Sequence, residues 1–260
     1  MTVLVDPPMW PAHGRLWSHV VSDTSLEELH AFARRVGLPE RSFEGDHYDA
    51  PQERYAELLA GGAVPVGATQ LARILRDSGL RFPKRRGERP LARVQNGLRA
   101  VTPVPHVLDV VASPHERRTA GAAVVLVRVA GTRHDPLMAM VRNATREGWY
   151  PPGGKRDPGE SVREGAVREV AEETGLVLDP GALRPVGYER ITVPAGVDAR
   201  PFDPGVNHLQ VFAGVATDAV PLRPGLDDVL EAAWFTRSRA QELSGPQPWW
   251  PLVHWWWERH

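Results

Sequence analysis

The chain has 260 residues, enough for two domains or one large one, with 42% hydrophobic and 24% charged residues and a formal net charge of -1; nothing global points to nucleic acid or an anionic membrane as a partner. It contains no cysteine, which excludes a disulfide framework, a thiolate metal site and a cysteine nucleophile. No uninterrupted apolar stretch reaches the roughly eighteen residues of a membrane span, and the opening MTVLVDPPMW lacks the basic start and apolar core of a signal peptide, so a cytoplasmic location is expected.

The first ninety residues read as a small, separate α/β unit. Thr2 to Asp6 is a short apolar strand ending in an acid. Ser25 and Glu28 form a capping box, and Leu26, Leu29, Phe32, Ala33 and Val36 share one helical face before the stop at Gly37 and Pro39. Pro51 to Ala60 and Thr69 to Ser78 are predicted as further helices. WPAHGRLWSH (Trp10 to His19), Ser22-Asp23, GDHYD (Gly45 to Asp49) and the KRRG from Lys84 resemble an uncharacterised bacterial domain family of unknown function, which brings no mechanism with it. Asp6, His13, His19, Asp23, Asp46, His47 and Asp49 are a dense set of His and Asp. Two readings stay open for them: a second metal or phosphate site, or the capping and turn roles these residue types commonly take.

Lys84 to Arg93 is basic, short and without interleaved aromatics, and is read as a solvated junction more readily than as a nucleic-acid contact. Pro103, Pro105 and Pro114 argue against a continuous helix there, although Val107 to Val111 is apolar enough for an ordered piece. Ala120 to Ala130 and Pro136 to Arg142 are predicted strands. Next comes the stretch GKRDPGESVREGAVREVAEETGL, Gly154 to Leu176. Ser161 with Glu164 forms a capping box, so a helix starts near Val162, and Gly175 is placed to end it in a left-handed conformation. At about 100° per residue, Val162, Ala166, Val167, Val170 and Ala171 make one apolar side. Glu169, Glu172 and Glu173 gather in the adjoining arc, where like charges three and four apart destabilise a helix and ask for a cation. Oxygen ligands suit Mg2+ or Mn2+. The preceding Gly153 and Gly154 let backbone N–H groups approach an anion, with Pro151 and Pro152 stiffening the entry. Of the 31 basic residues only Lys84 and Lys155 are lysines, so Lys155 beside the glycines is either a phosphate contact or a surface residue.

Gly154, Glu160, Arg168, Glu169, Val170, Glu172, Glu173, Gly175 and Leu176 fit the pattern G-x5-E-x7-R-E-U-x-E-E-x-G-U, with U aliphatic. On these positions the second half of the chain resembles the Nudix hydrolase superfamily. The resemblance implies an α/β/α sandwich with a mixed sheet and a Mg2+-dependent pyrophosphohydrolase, with Mn2+ a possible substitute. Its substrate would be a nucleoside diphosphate linked to another moiety. It implies Glu169, Glu172 and Glu173 as catalytic metal ligands, with the Gly154 carbonyl as a further ligand. Gly153, Gly154 and Lys155 would be substrate contacts, and Glu160 and Arg168 a supporting pair. Nudix relatives that sense nucleotides or ADP-ribose without hydrolysis supply the alternative, a ligand-binding regulator; such relatives tend to lose box glutamates, and this chain keeps them. The signatures of ADP-ribose and diadenosine-polyphosphate hydrolases fall out of step here, with Pro194 late and Tyr188 early, so no single derivative is selected.

Beyond the box, Val186 to Val193 and Asn207 to Ala216 are predicted strands, and Val229 to Phe235 leads into Thr236 as the cap of a helix through Leu243. Asp227, Asp228 and Glu231 lie where family members supply an extra acid or base, and the sequence does not choose among them. The tail PWWPLVHWWWERH holds five of the nine Trp. Such aromatic surface is expected to pack across the domains or to form a homodimer. The expected organisation is 1–90 a small α/β domain, 91–113 a linker or inter-domain segment, 114–246 the Nudix domain and 247–260 a Trp-rich tail.

Overall fold

The computed structural model describes residues 2–82, 84–130, 136–198, 200–226 and 228–259, and the chain divides into two compact units, Met1–Arg85 and Arg86–His260. The first unit contains β1 (Val3–Val5), β2 (Trp10–Ala12), β3 (Arg15–Ser22), α1 (Leu26–Arg35), β4 (Tyr48–Pro51), α2 (Tyr55–Ala60), β5 (Val64–Pro65) and α3 (Ala68–Asp77). Its sheet runs β2-β3-β1-β5, with β4 also paired to β3. α1 begins where the Ser25 side chain accepts from the Glu28 N–H, and it buries Leu26, Leu29, Phe32 and Ala33, the face read from the sequence. The β2–β3 hairpin has no counterpart in that reading. Its turn sets His13 and Gly14 at φ 51° and 74°, the left-handed pair that a two-residue hairpin requires.

The second unit contains β6 (Arg89–Gln95), β7 (Val107–Ala112), β8 (Ala122–Val129), β9 (Leu137–Asn143), β10 (Gly153–Lys155), α4 (Val162–Thr174), β11 (Arg184–Val193), β12 (Gly205–Ala216), β13 (Val229–Thr236), α5 (Arg237–Ser244) and α6 (Trp250–Trp257). The sheet order is β13-β9-β8-β12-β11-β7-β6, with β10 paired to β8. β12 runs parallel to β8, while its partner β11 is antiparallel, so the sheet is mixed. Alternation along the strands sends successive side chains to opposite faces. Val125, Val127 and Phe212 meet Val162, Ala166 and Val170 of α4 on one face. Leu126, Met140 and Val211 meet Trp250, Val253, Trp256 and Trp257 of α6 on the other. The result is an α/β/α sandwich, with the first unit a separate mixed α/β body. No described helix is long and apolar enough to cross a membrane.

Two expectations of organisation change. The stretch 91–113, read as a linker or inter-domain segment, supplies most of β6 and all of β7. The reason is cross-strand: Asp109 on β7 stands in register with Arg93 on β6 and Arg190 on β11. It accepts from Arg93 Nε at 2.6 Å and Arg190 Nη2 at 2.7 Å. Within the tail, Trp250–Trp257 forms α6, and the tryptophans fill the core of their own unit. The aromatic surface that motivated a homodimer is thereby covered within the chain.

Candidate active site

α4 carries the acidic arc, and its ends are set locally. Ser161 Oγ accepts from the Glu164 N–H at 3.2 Å while the Glu164 carboxylate accepts from the Ser161 N–H at 2.7 Å. Gly175 closes the helix at φ 75°. The apolar side of α4 is pressed on the sheet, so Glu169 and Glu173 are drawn inward towards β10 while Glu172 stays half-exposed. β10 pairs with β8, Gly154 opposite Ala123, and this brings the glycines against the helix. A Cβ on Gly154 would lie 2.5 Å from Glu169 Oε2, so only glycine leaves room for that carboxylate.

Arg168 organises the cluster. Its Nε donates to Glu160 Oε1 at 2.9 Å, and Nη1 donates to Glu172 Oε2 at 2.9 Å and Glu169 Oε1 at 3.1 Å. Nη2 donates to the Lys155 carbonyl at 2.9 Å, tying the helix to the glycine loop. Burial raises the Glu169 carboxyl above its ordinary range, and the Arg168 contacts only partly offset it. Glu173 is 4% exposed. Its burial, opposed by a hydrogen bond from Gly153 and reinforced by the Glu169 charge, pushes the carboxyl up to about 7.

That hydrogen bond corrects one expectation. The Gly153 N–H, read as a phosphate donor, donates instead to Glu173 Oε2 at 2.8 Å, because pairing of β10 with β8 turns it towards α4. Lys155 is exposed at the end of β10.

A cavity of about 990 Å³ opens beside the cluster, lined among others by Glu169, Glu173, Gly154, Lys155, Asn143 and Glu189. Tyr150, Phe202 and Trp249 give it aromatic walls. Of the three acids left open beyond the box, Asp228 lines this cavity, Glu231 is exposed and ion-paired with Arg142 at 2.5 Å, and Asp227 lies outside the described residues. Asn143 and Glu189 were not legible as site residues. Asn143 ends β9, and its Nδ2 donates to Glu173 Oε1 at 3.4 Å while its buried Oδ1 has no hydrogen-bond partner. Glu189 is 6% exposed on β11, a central strand covered on both faces. An acid within an apolar strand was the one available signal.

The comparisons with known proteins fall on the same halves. Residues 117–256 match the model of the NUDIX domain, and residues 3–78 match a protein of unknown function, DUF4031. The chain is 41% identical over 44 residues to the uncharacterized Nudix hydrolase YvcI of Bacillus subtilis, covering 17% of this chain and 28% of that protein. It is 45% identical over 47 residues to the mouse (Mus musculus) 8-oxo-dGDP phosphatase NUDT18, covering 17% of this chain and 15% of that protein. The chain therefore spans less than a third of the length of these curated relatives. Among solved structures, a NUDIX hydrolase from Nitrosomonas europaea aligns with 18% identity and a TM-score of 0.40, covering 54% of this chain and 89% of that one.

Proposed function

This chain belongs to the Nudix family, and from that premise we propose that it is a divalent-metal-dependent pyrophosphohydrolase. Its substrate is a nucleoside diphosphate linked to a further group, cleaved within the diphosphate. The observation that carries this reading is the convergence of Glu169 and Glu173 with the Gly154 backbone at the wall of a cavity large enough for a nucleotide, with Glu172 joined to Glu169 through Arg168.

The donor set fits a hard cation. It is all oxygen, as Mg2+ or Mn2+ prefers, and Gly154 leaves a space beside Glu169 that a side chain would fill. The orphaned Asn143 Oδ1 adds a buried acceptor at the same wall. Glu169, Glu172, Glu173 and the Gly154 carbonyl would hold the ion. When bound, it neutralises diphosphate oxygens and lowers the pKa of water.

The remaining work belongs to the chain's own groups. Arg168 keeps Glu160, Glu169 and Glu172 in fixed orientation and binds the Lys155 carbonyl, so the cluster needs little rearrangement during reaction. Glu173 is locked by the Gly153 N–H. The box carboxylates take up the proton that the attacking water releases. Lys155 offers a compact positive charge to a phosphate at the mouth, and Tyr150, Phe202 and Trp249 offer faces against which a base stacks.

The test is turnover of a panel of nucleoside diphosphate derivatives by the full chain with Mg2+, products resolved by chromatography. Release of a mononucleotide is expected, with chelator abolishing it. Glu172→Gln and Glu173→Gln should each lower kcat by at least about a hundredfold, the scale of losing a preorganised electrostatic group. Wild-type rates in either variant would remove the assigned cluster, and tight binding without turnover would make the chain a regulator instead.

A further inference from the structure

The first unit holds a second constellation, independent of the box. His19 on β3 and Asp49 on β4 are directly opposed in antiparallel register. His47 lies just before β4, two residues ahead of Asp49, and its ring packs edge-on against that of His19 with centroids 5.0 Å apart. One ligand atom from each of His19, His47 and Asp49 falls within 4.8 Å of the other two. His19 Nε2 is 3.7 Å and His47 Nε2 3.4 Å from Asp49 Oδ1. These separations are longer than an ordinary N–H···O bond. They match the roughly 3.4 Å edge of a tetrahedron whose centre sits about 2.1 Å from nitrogen and oxygen ligands.

The far side of each imidazole is equally specific. His19 Nδ1 contacts Asp6 Oδ2 at 3.1 Å, and His47 Nδ1 contacts Asp46 Oδ1 at 2.5 Å. Both aspartates are buried, at 1% exposure each, and each is held by further donors. Trp10 Nε1 donates to Asp6 at 2.8 Å and the Phe82 N–H donates to Asp46 at 2.6 Å. A carboxylate on Nδ1 fixes each ring and turns its Nε2 away from that carboxylate, the orientation that metal-ligating histidines have, and a metal would take the place of any proton on Nε2. Two such pairs point their Nε2 atoms at one carboxylate. Three aspartates then surround two imidazoles, a divalent cation would offset two of their three negative charges, and Arg81 stands 3.7 Å from Asp46. His13, in the hairpin turn, and Asp23, which accepts from the Thr2 N–H, are not in this cluster.

We propose that His19, His47 and Asp49 form a second metal site, specific for a borderline divalent transition metal such as Zn2+ or Co2+. Two imidazoles in three ligands disfavour Mg2+, which separates this site chemically from the all-oxygen cluster on α4. Side-chain exposures of 28% for His19 and 36% for Asp49 leave the ion's remaining positions open to solvent, as in a site that binds a small molecule on its metal. The exposed Trp10 ring, 5.2 Å from that of His19, flanks the opening.

The experiment uses the full chain, stripped with chelator and titrated with Co2+ in excess Mg2+, read by the visible absorption of histidine-bound Co2+. One Co2+ per chain is expected. Asp49→Asn should weaken binding at least about tenfold, and Asp46→Asn, which touches no metal, about ten- to a hundredfold. Glu173→Gln should leave Co2+ binding unchanged. Asp49 is the most exposed of the ligands, so its variant keeps the fold, which far-UV circular dichroism checks. Absence of a visible Co2+ spectrum, wild-type affinity in Asp49→Asn, or loss of the site in Glu173→Gln would each overturn the assignment.

Discussion

Burial pushes the Glu189 carboxyl up to about 7, with the Arg146 charge opposing it. Its ordinary value is 4.5, so between those two pH values the folded chain holds a proton that the unfolded chain has released. Stability therefore falls as pH rises through that window and stays lower above it. Glu189→Gln is expected to match the wild type near the lower limit and exceed it by up to about 3 kcal/mol at mildly alkaline pH. Urea denaturation at the two extremes measures this, and no gain at alkaline pH would mean the carboxyl is solvated. Gly154 is the other residue whose environment decides a result. Gly154→Ala must displace Glu169, and a misplacement of about 1 Å costs on the order of a hundredfold in rate. Steady-state kinetics with an otherwise normal thermal melt is the expected outcome to check. Arg168 offsets the charge crowding on α4. Because it bridges Glu169 and Glu172, removing Glu172 loses an ion pair as well as a repulsion, and the metal-free protein gains no stability from it.

At the scale of elements, α4 stands on local chemistry and the β6–β7 ribbon on remote chemistry. Ser161→Ala deletes one half of the capping box and should cost about 1 kcal/mol, visible as a lowered melting temperature with the metal-free protein. Asp109→Ala is a harsher change. Asp109 is 1% exposed and sits between Arg93 and Arg190, so its removal leaves two mostly buried cations facing an apolar side chain. A loss of about 3–5 kcal/mol is expected, read by denaturant titration. A cost under about 1 kcal/mol would mean that water reaches the pair of arginines.

At the scale of the molecule, the boundary between the units decides which fragments fold. A chain beginning at Pro114 lacks β6 and β7, so it exposes the edge of β11 and part of the face on which α6 packs. Unpaired edges of that kind promote aggregation. Residues 86–260 are expected to express in soluble form and melt in one cooperative transition, whereas residues 114–260 should aggregate. Size-exclusion chromatography of the two fragments distinguishes these outcomes, and a monomeric, cooperatively folded 114–260 would contradict the role given to the ribbon.

The sequence alone determined the features whose causes lie within a few residues. The N-cap at Ser25, the capping box at Ser161, the left-handed stop at Gly175 and the acidic arc on α4 all follow from contacts three or four positions apart, whereas the Glu28 carboxylate, expected to complete a box at Ser25, accepts from Ser22 Oγ instead. The fixed spacing from Gly154 to Leu176 carried the family as well. The tertiary structure decided whatever depends on pairing between distant segments. β6 and β7 became strands because Asp109 meets arginines on both neighbours. The tryptophans of α6 became core because a sheet face awaited them. The Gly153 N–H was diverted to Glu173 by strand pairing. His19 on β3 was brought beside Asp49, and so beside the preceding His47, by the register of β3 with β4. Periodicity reports which face a side chain takes, but only the register between strands fixes which other side chain it meets.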